Sequence, residues 1–76
     1  MSNAQRLQIG GETVTYGDCD NPQHRGKKFV SIGSRENHTT FIVSKDYATV
    51  DQIRSRGTDK SAWQLVAIAV TSGYWS

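Results

Sequence analysis

The stretch CDNPQHRGKKF, residues 19–29, holds the chain's single cysteine, its single proline, one of its two histidines and three cations. Such residues do metal, thiol or phosphate chemistry when their spacing allows it. Structural zinc takes four ligands delivered as two close pairs. Cys19 and His24, with Asp18 and Asp20 beside them, make one loose pair, and His38 stands apart. A calcium loop counted from Asp18 would need Gly where Gln23 stands and a bidentate Glu where Phe29 stands. The GKK triplet lacks the Ser/Thr and the upstream Gly of a phosphate loop. As a nucleophile, Cys19 is flanked by carboxylates, which raise a thiol's pKa and disfavour the thiolate. Asp18 and Asp20 share one loop with no apolar cover to separate their pKa values for acid–base work. The expectation is a chain without catalytic residues, metal or cofactor, in which residues 19–29 are a connecting loop with a basic exit.

Composition sets further limits. Seventy-six residues make one domain, with residues 1–4 a flexible lead-in and 5–76 a single small α+β unit. A chain of this length buries roughly 60–65% of the surface its unfolded form exposes, too little for a large sheltered cavity. Nine Lys/Arg against seven Asp/Glu give too weak a field for a strong polyanion binder, and too few carboxylates for an acidic mimic of DNA. One cysteine permits no internal disulfide and fits a reduced thiol in a cytoplasmic protein. The longest apolar run, Ala62–Val70, is interrupted by Gln64 and falls far short of the ~20 residues that span a bilayer. The opening MSNAQRLQ has no hydrophobic segment of signal-peptide type. No membrane association is expected.

The elements that must position any site follow from turns and alternation. In RLQIGGETVTY, Gly10-Gly11 suits a two-residue hairpin turn. That turn sets Ile9 against Glu12, Leu7 against Val14 and Gln5 against Tyr16. Leu7, Ile9, Val14 and Tyr16 then share one face, and Arg6, Gln8, Thr13 and Thr15 the other. KFVSIG and HTTFIVS flank the turn SREN. Pairing Val30 with Phe41 and Ile32 with Thr39 puts Val30, Ile32, Phe41 and Val43 on one face, with Phe29, Ser31, Thr40 and Ile42 opposite. TVDQIRSRG carries a capping box, Thr49 with Gln52, and a stop at Gly57, which predicts a short helix. AWQLVAIAVT, residues 62–71, is a short apolar run that could be helix or strand; its wealth of Val, Ile, Trp and Thr favours a central strand. The expected fold is a small antiparallel sheet in the order ββββαβ with one short helix on a face; a small SH3-like or OB-like barrel is the runner-up. AWQLVAIAV after a short helix resembles the helix-then-GWELV ending of a family of short bacterial proteins, departing from it at Ala62 and Gln64. The resemblance implies no functional residues.

For function, the tail SGYWS and the segment IRSR supply Tyr, Trp and Arg, the types that anchor protein interfaces. The expectation is a protein-binding module of the inhibitor, adaptor or subunit-modulator kind, using Tyr74, Trp75, Arg54, Arg56 and Tyr47. An exposed strand edge could also pair two copies into a homodimer. The alternative is a sequence-tolerant nucleic-acid binder using Arg25, Lys27, Lys28 and Arg35, with the cations of residues 54–56.

Overall fold

The computed structural model describes residues 4–75, apart from the side chains of Tyr74 and Trp75. The expected lead-in, residues 1–4, lies outside the described residues except for Ala4, whose Cα lies close to Gly17. Five strands, β1 (Gln5–Ile9), β2 (Glu12–Asp18), β3 (Lys28–Gly33), β4 (His38–Val43) and β5 (Val50–Arg56), form one antiparallel meander in the order β1-β2-β3-β4-β5. A 3₁₀ turn at Ser61–Trp63 leads into the one α-helix among the described residues, α1 (Gln64–Trp75). The architecture is thus the expected small α+β fold, and the sheet does not close into a barrel.

The two hairpins, β1–β2 and β3–β4, pair in the registers their turns and alternation predict. Leu7 faces Val14, and Gln5 faces Tyr16. Gly10 and Gly11 both have positive φ, +55° and +80°, as the reversed turn that matches strand twist requires. Val30 faces Phe41, and Ile32 faces Thr39. The 19–29 stretch is the β2–β3 connection. Its 3₁₀ turn, Pro22–His24, is capped by Asn21, whose side chain accepts from the Gln23 N–H at 3.0 Å, and the Cys19 N–H donates to Lys27 O at 3.1 Å to close the loop.

The last two assignments are corrected. Residues 50–56, expected as helix, are edge strand β5 on β4. Residues 64–75, expected as strand over 62–71, are helix α1, so the order is βββββα. The capping box is a local preference of a segment too short to be stable as an isolated helix, and it yields to the ladder that β4's open edge offers. The 62–71 segment carries a helical stripe: Trp63, Val66, Ala67, Val70 and Thr71 stand at i, i+3, i+4, i+7 and i+8. Ala67, Val70 and Thr71 are buried, Trp63 and Val66 are half-buried, and Leu65 on the outer side is 76% exposed. With the supposed helix gone and the strand a helix, the ending that supported the family resemblance is also gone.

The core lies between α1 and one face of the sheet. Val14, Val30, Ile32, Phe41 and Val43 are fully buried there with Ala67, and each large side chain contributes about 1.5–3 kcal/mol. A polar strap turns the chain from β5 back across that face. Asn37 Oδ1 accepts from the Thr58 N–H at 2.9 Å. Buried Thr39 donates from Oγ1 to Thr58 O at 3.1 Å and accepts from the Lys60 N–H at 3.2 Å. Lys60 pairs with Glu12 of β2. No charged side chain follows Lys60 in the chain.

Candidate functional site

With α1 on one side, no element among the described residues covers the other face of the sheet. Register alignment draws a row across all five strands: Arg6, Thr15, Ser31, Thr40 and Arg54. Three short hydroxyl side chains make the floor, with Thr40 Oγ1 donating to Ser31 Oγ at 3.2 Å, and an arginine stands at each edge. Over this row lies a groove of about 430 Å³ lined by Arg6, Arg35, Arg54 and His38 with Thr13, Thr15, Ser31 and Thr40. No acidic side chain lines it. His38 Nδ1 lies 3.1 Å from Ser34 O and 3.0 Å from Arg35 O. Both oxygens are acceptors, so the ring hydrogen sits on Nδ1 and the Ser34–Asn37 turn is held against β4. Arginines in this number suit carboxylate or phosphate, which a guanidinium binds through two parallel hydrogen bonds.

Farther along the strands the chemistry changes. A second groove of about 510 Å³, open to solvent, is lined by Phe29, Ile42, Ile53 and Arg54, with Asp18, Cys19, Asp20, Asn21 and His24 on its loop side. Phe29 and Ile42 are register partners, and Phe29 also pairs with Gly17. A Cβ built on Gly17 would lie 2.7 Å from Phe29 Cε1, so the absent side chain is what lets the ring lie across β2. Ile53 enters by another device. The β4–β5 register shifts between Thr40 and Phe41, with Thr40 opposite Arg54 and Phe41 opposite Gln52. Ile53 is the extra residue of a β-bulge, which re-aims side chains. Strict alternation would send Ile53 and Arg54 to opposite faces; here both line the same groove, with Ile53 47% exposed.

The expected site residues distribute as follows. Arg54 and Arg56 lie on β5 and are exposed. Arg54 opposes Thr40 and Arg56 opposes His38, which places both on the uncovered face. Tyr47 sits in the β4–β5 turn at the other end of β5, half-buried against the core with φ +60°. The side chains of Tyr74 and Trp75 lie outside the described residues; their backbone closes α1. Of the nucleic-acid set, Arg25 and Lys27 stand in the β2–β3 loop and Lys28 opens β3, where it pairs with Asp18 at 3.0 Å. Arg35 stands in the β3–β4 turn at the opposite end of the sheet, so this set is not brought together. Arg6, Thr15, Ser31 and Thr40 were missed as site residues, although the alternation that predicts the hairpins already puts Arg6 and Thr15, and Ser31 and Thr40, on shared faces.

Cys19 and His24 line the same groove. Partial burial, followed by the charges of Asp18 and Asp20, pushes the Cys19 thiol above its usual pKa, the reverse of what an activated thiolate needs. Among the described residues no group of three or more His, Cys, Asp or Glu is placed to hold a metal ion, and no helix is long and apolar enough to cross a membrane. Comparison with known proteins finds no matching family model, no matching curated protein and no matching solved structure.

Proposed function

We propose that this chain is a small non-catalytic protein-binding module, of the inhibitor, adaptor or subunit-modulator kind, and that its partner docks on the uncovered sheet face. The observation that carries this reading is the union of Arg6, Arg35 and Arg54 with Phe29, Ile42 and Ile53 on one continuous face. Arginine and aromatic side chains are enriched at protein interfaces, and the buried centre of such a patch is more apolar than its rim. A cytoplasmic setting accords with the lone thiol of Cys19. The test is capture of partners from a lysate of the source cells with the wild-type chain and with Arg6→Glu/Arg54→Glu. Partners retained equally by both would refute the reading.

Nucleic acid is the weaker reading. The basic loop residues Arg25, Lys27 and Lys28 stand beside Asp18 and Asp20, which would repel a phosphate backbone, and one aromatic ring, Phe29, is too few for a stacking platform. Titration with single- and double-stranded oligonucleotides across salt tests it, since a phosphate binder loses affinity steeply as salt rises.

A further inference from the structure

Resting on that reading, we infer that the occupant of the uncovered face is an extended protein segment of about six residues, acidic at one end and apolar at the other. The two grooves share Thr40 and Arg54, so they form one track rather than two sites. Along β3 the track runs from Gly33, among the cations, to Phe29, four residues or about 13 Å away. Extended chain covers that span in about four residues, with roughly one more at each end. The cationic end holds Arg6, Arg35 and Arg54 and no carboxylate, which selects negative charge. The other end has an apolar floor of Phe29, Ile42 and Ile53 beneath a rim that includes Asp18 and Asp20. An oligonucleotide long enough to fill the track would carry its phosphates past those two carboxylates. A peptide can instead place an aliphatic or aromatic side chain on the floor.

Docking is on the face rather than by strand addition at an edge. The bulge at Ile53 breaks the regular ladder of β5, and Asp51, Arg54 and Arg56 charge that edge; bulged, charged edges resist pairing with another strand. β1, the other edge, is five residues long. The same bulge supplies recognition, because it sets a cation and an apolar side chain side by side where the segment passes from acidic to apolar.

The experiment is a titration of the isotope-labelled full chain, followed by amide chemical shifts. Three probes are compared: a synthetic hexapeptide of three glutamates followed by glycine and two leucines, hexaglutamate, and a six-nucleotide oligothymidylate. The mixed peptide should shift the amides of Thr15, Ser31, Thr40, Ile42 and Ile53, and bind at least about tenfold more tightly than hexaglutamate, the effect of seating one apolar side chain. Arg54→Glu should weaken both peptides, and Ile53→Ser the mixed peptide alone. Equal affinity for the two peptides, tighter binding of the oligothymidylate, or shifts confined to α1 would overturn the inference. If none of the probes binds while Arg6→Glu/Arg54→Glu still loses its lysate partner, the segment chemistry is wrong and the docking face stands. If the double variant also keeps its partner, both fall.

Discussion

Replacing Gly17 with alanine tests whether the Phe29 ring forms part of the uncovered face. The new Cβ would lie 2.7 Å from Phe29 Cε1 and 3.2 Å from Cζ, closer than packed carbon atoms stand. Relieving such an overlap inside a packed sheet costs about 1–3 kcal/mol. Against this, alanine is favoured over glycine in a strand by about 0.5–1 kcal/mol, since the unfolded chain loses freedom. Gly17→Ala should therefore destabilise by about 1 kcal/mol, at most about 2.5 kcal/mol, and lower the melting temperature by several degrees, at about 4–8 °C per kcal/mol for a domain of this size. In a Phe29→Ala background the ring overlap disappears and only the tight approach to the Ala4 backbone, at 3.2 Å, remains, so the cost of the same substitution should fall. The assay is a double-mutant cycle from urea or thermal unfolding followed by circular dichroism. A stabilising Gly17→Ala in the wild-type chain, or an unchanged cost in the Phe29→Ala background, would refute the placement of the ring.

Other outcomes follow from single contacts. Thr39→Val keeps the shape but strands the Lys60 N–H and leaves Thr58 O only the longer bond from the Ser55 hydroxyl, 3.4 Å; a loss of about 1–3 kcal/mol is expected in urea unfolding. Ala69 is exposed inside α1, so Ala69→Pro should cost about 3 kcal/mol or more through the helix backbone alone, with loss of the 222 nm signal; a strand over 62–71 would show no such helical loss. For Cys19, whose pKa is raised first by burial and then by Asp18 and Asp20, the rate of alkylation should rise with a midpoint above that of a free cysteine. Because the folded value is the higher one, this group's effect on stability is absent below the unfolded thiol pKa, and stability is lost as pH rises from there toward the folded value. Asp46 has the opposite sign: the Ser44 hydroxyl, then the Ala48 N–H, hold its carboxyl below the usual value. Its contribution is present above the ordinary aspartate pKa and lost as pH falls through the folded one, and a carbon-detected carboxyl titration with a midpoint at or above the free value would contradict it.

The legible part of the fold was the part where two independent signals agreed. For β1–β2, the Gly-Gly turn and the alternation of Leu7, Ile9, Val14 and Tyr16 chose one register. For β3–β4, the SREN turn and the apolar positions did the same. From Thr49 onward each segment carried a local signal that pointed one way while its partner in space pointed the other. The capping box of Thr49 and Gln52 described an isolated segment, whereas what decides β5 is the unpaired edge of β4. In 62–71, composition favoured a strand, yet the spacing of Trp63, Val66, Ala67, Val70 and Thr71 already described a helix face. Half of the candidate site was present in the hairpin faces. The other half needed β5 to be a strand and needed its bulge, a one-residue irregularity that no periodicity announces, to bring Ile53 and Arg54 to the same side.

The absence of charge after Lys60 reaches beyond packing. Since α1 carries none, every ionised side chain among the described residues belongs to the strands and their connections, and Arg6, Arg35 and Arg54 stand together on the face away from α1. An acidic partner approaching through solvent would feel a torque that turns the arginine side toward it before any atoms touch. That bias weakens once the screening length shrinks below about 10 Å, near 0.1 M salt. Association should therefore slow with added salt while dissociation, governed by contacts already made, changes far less.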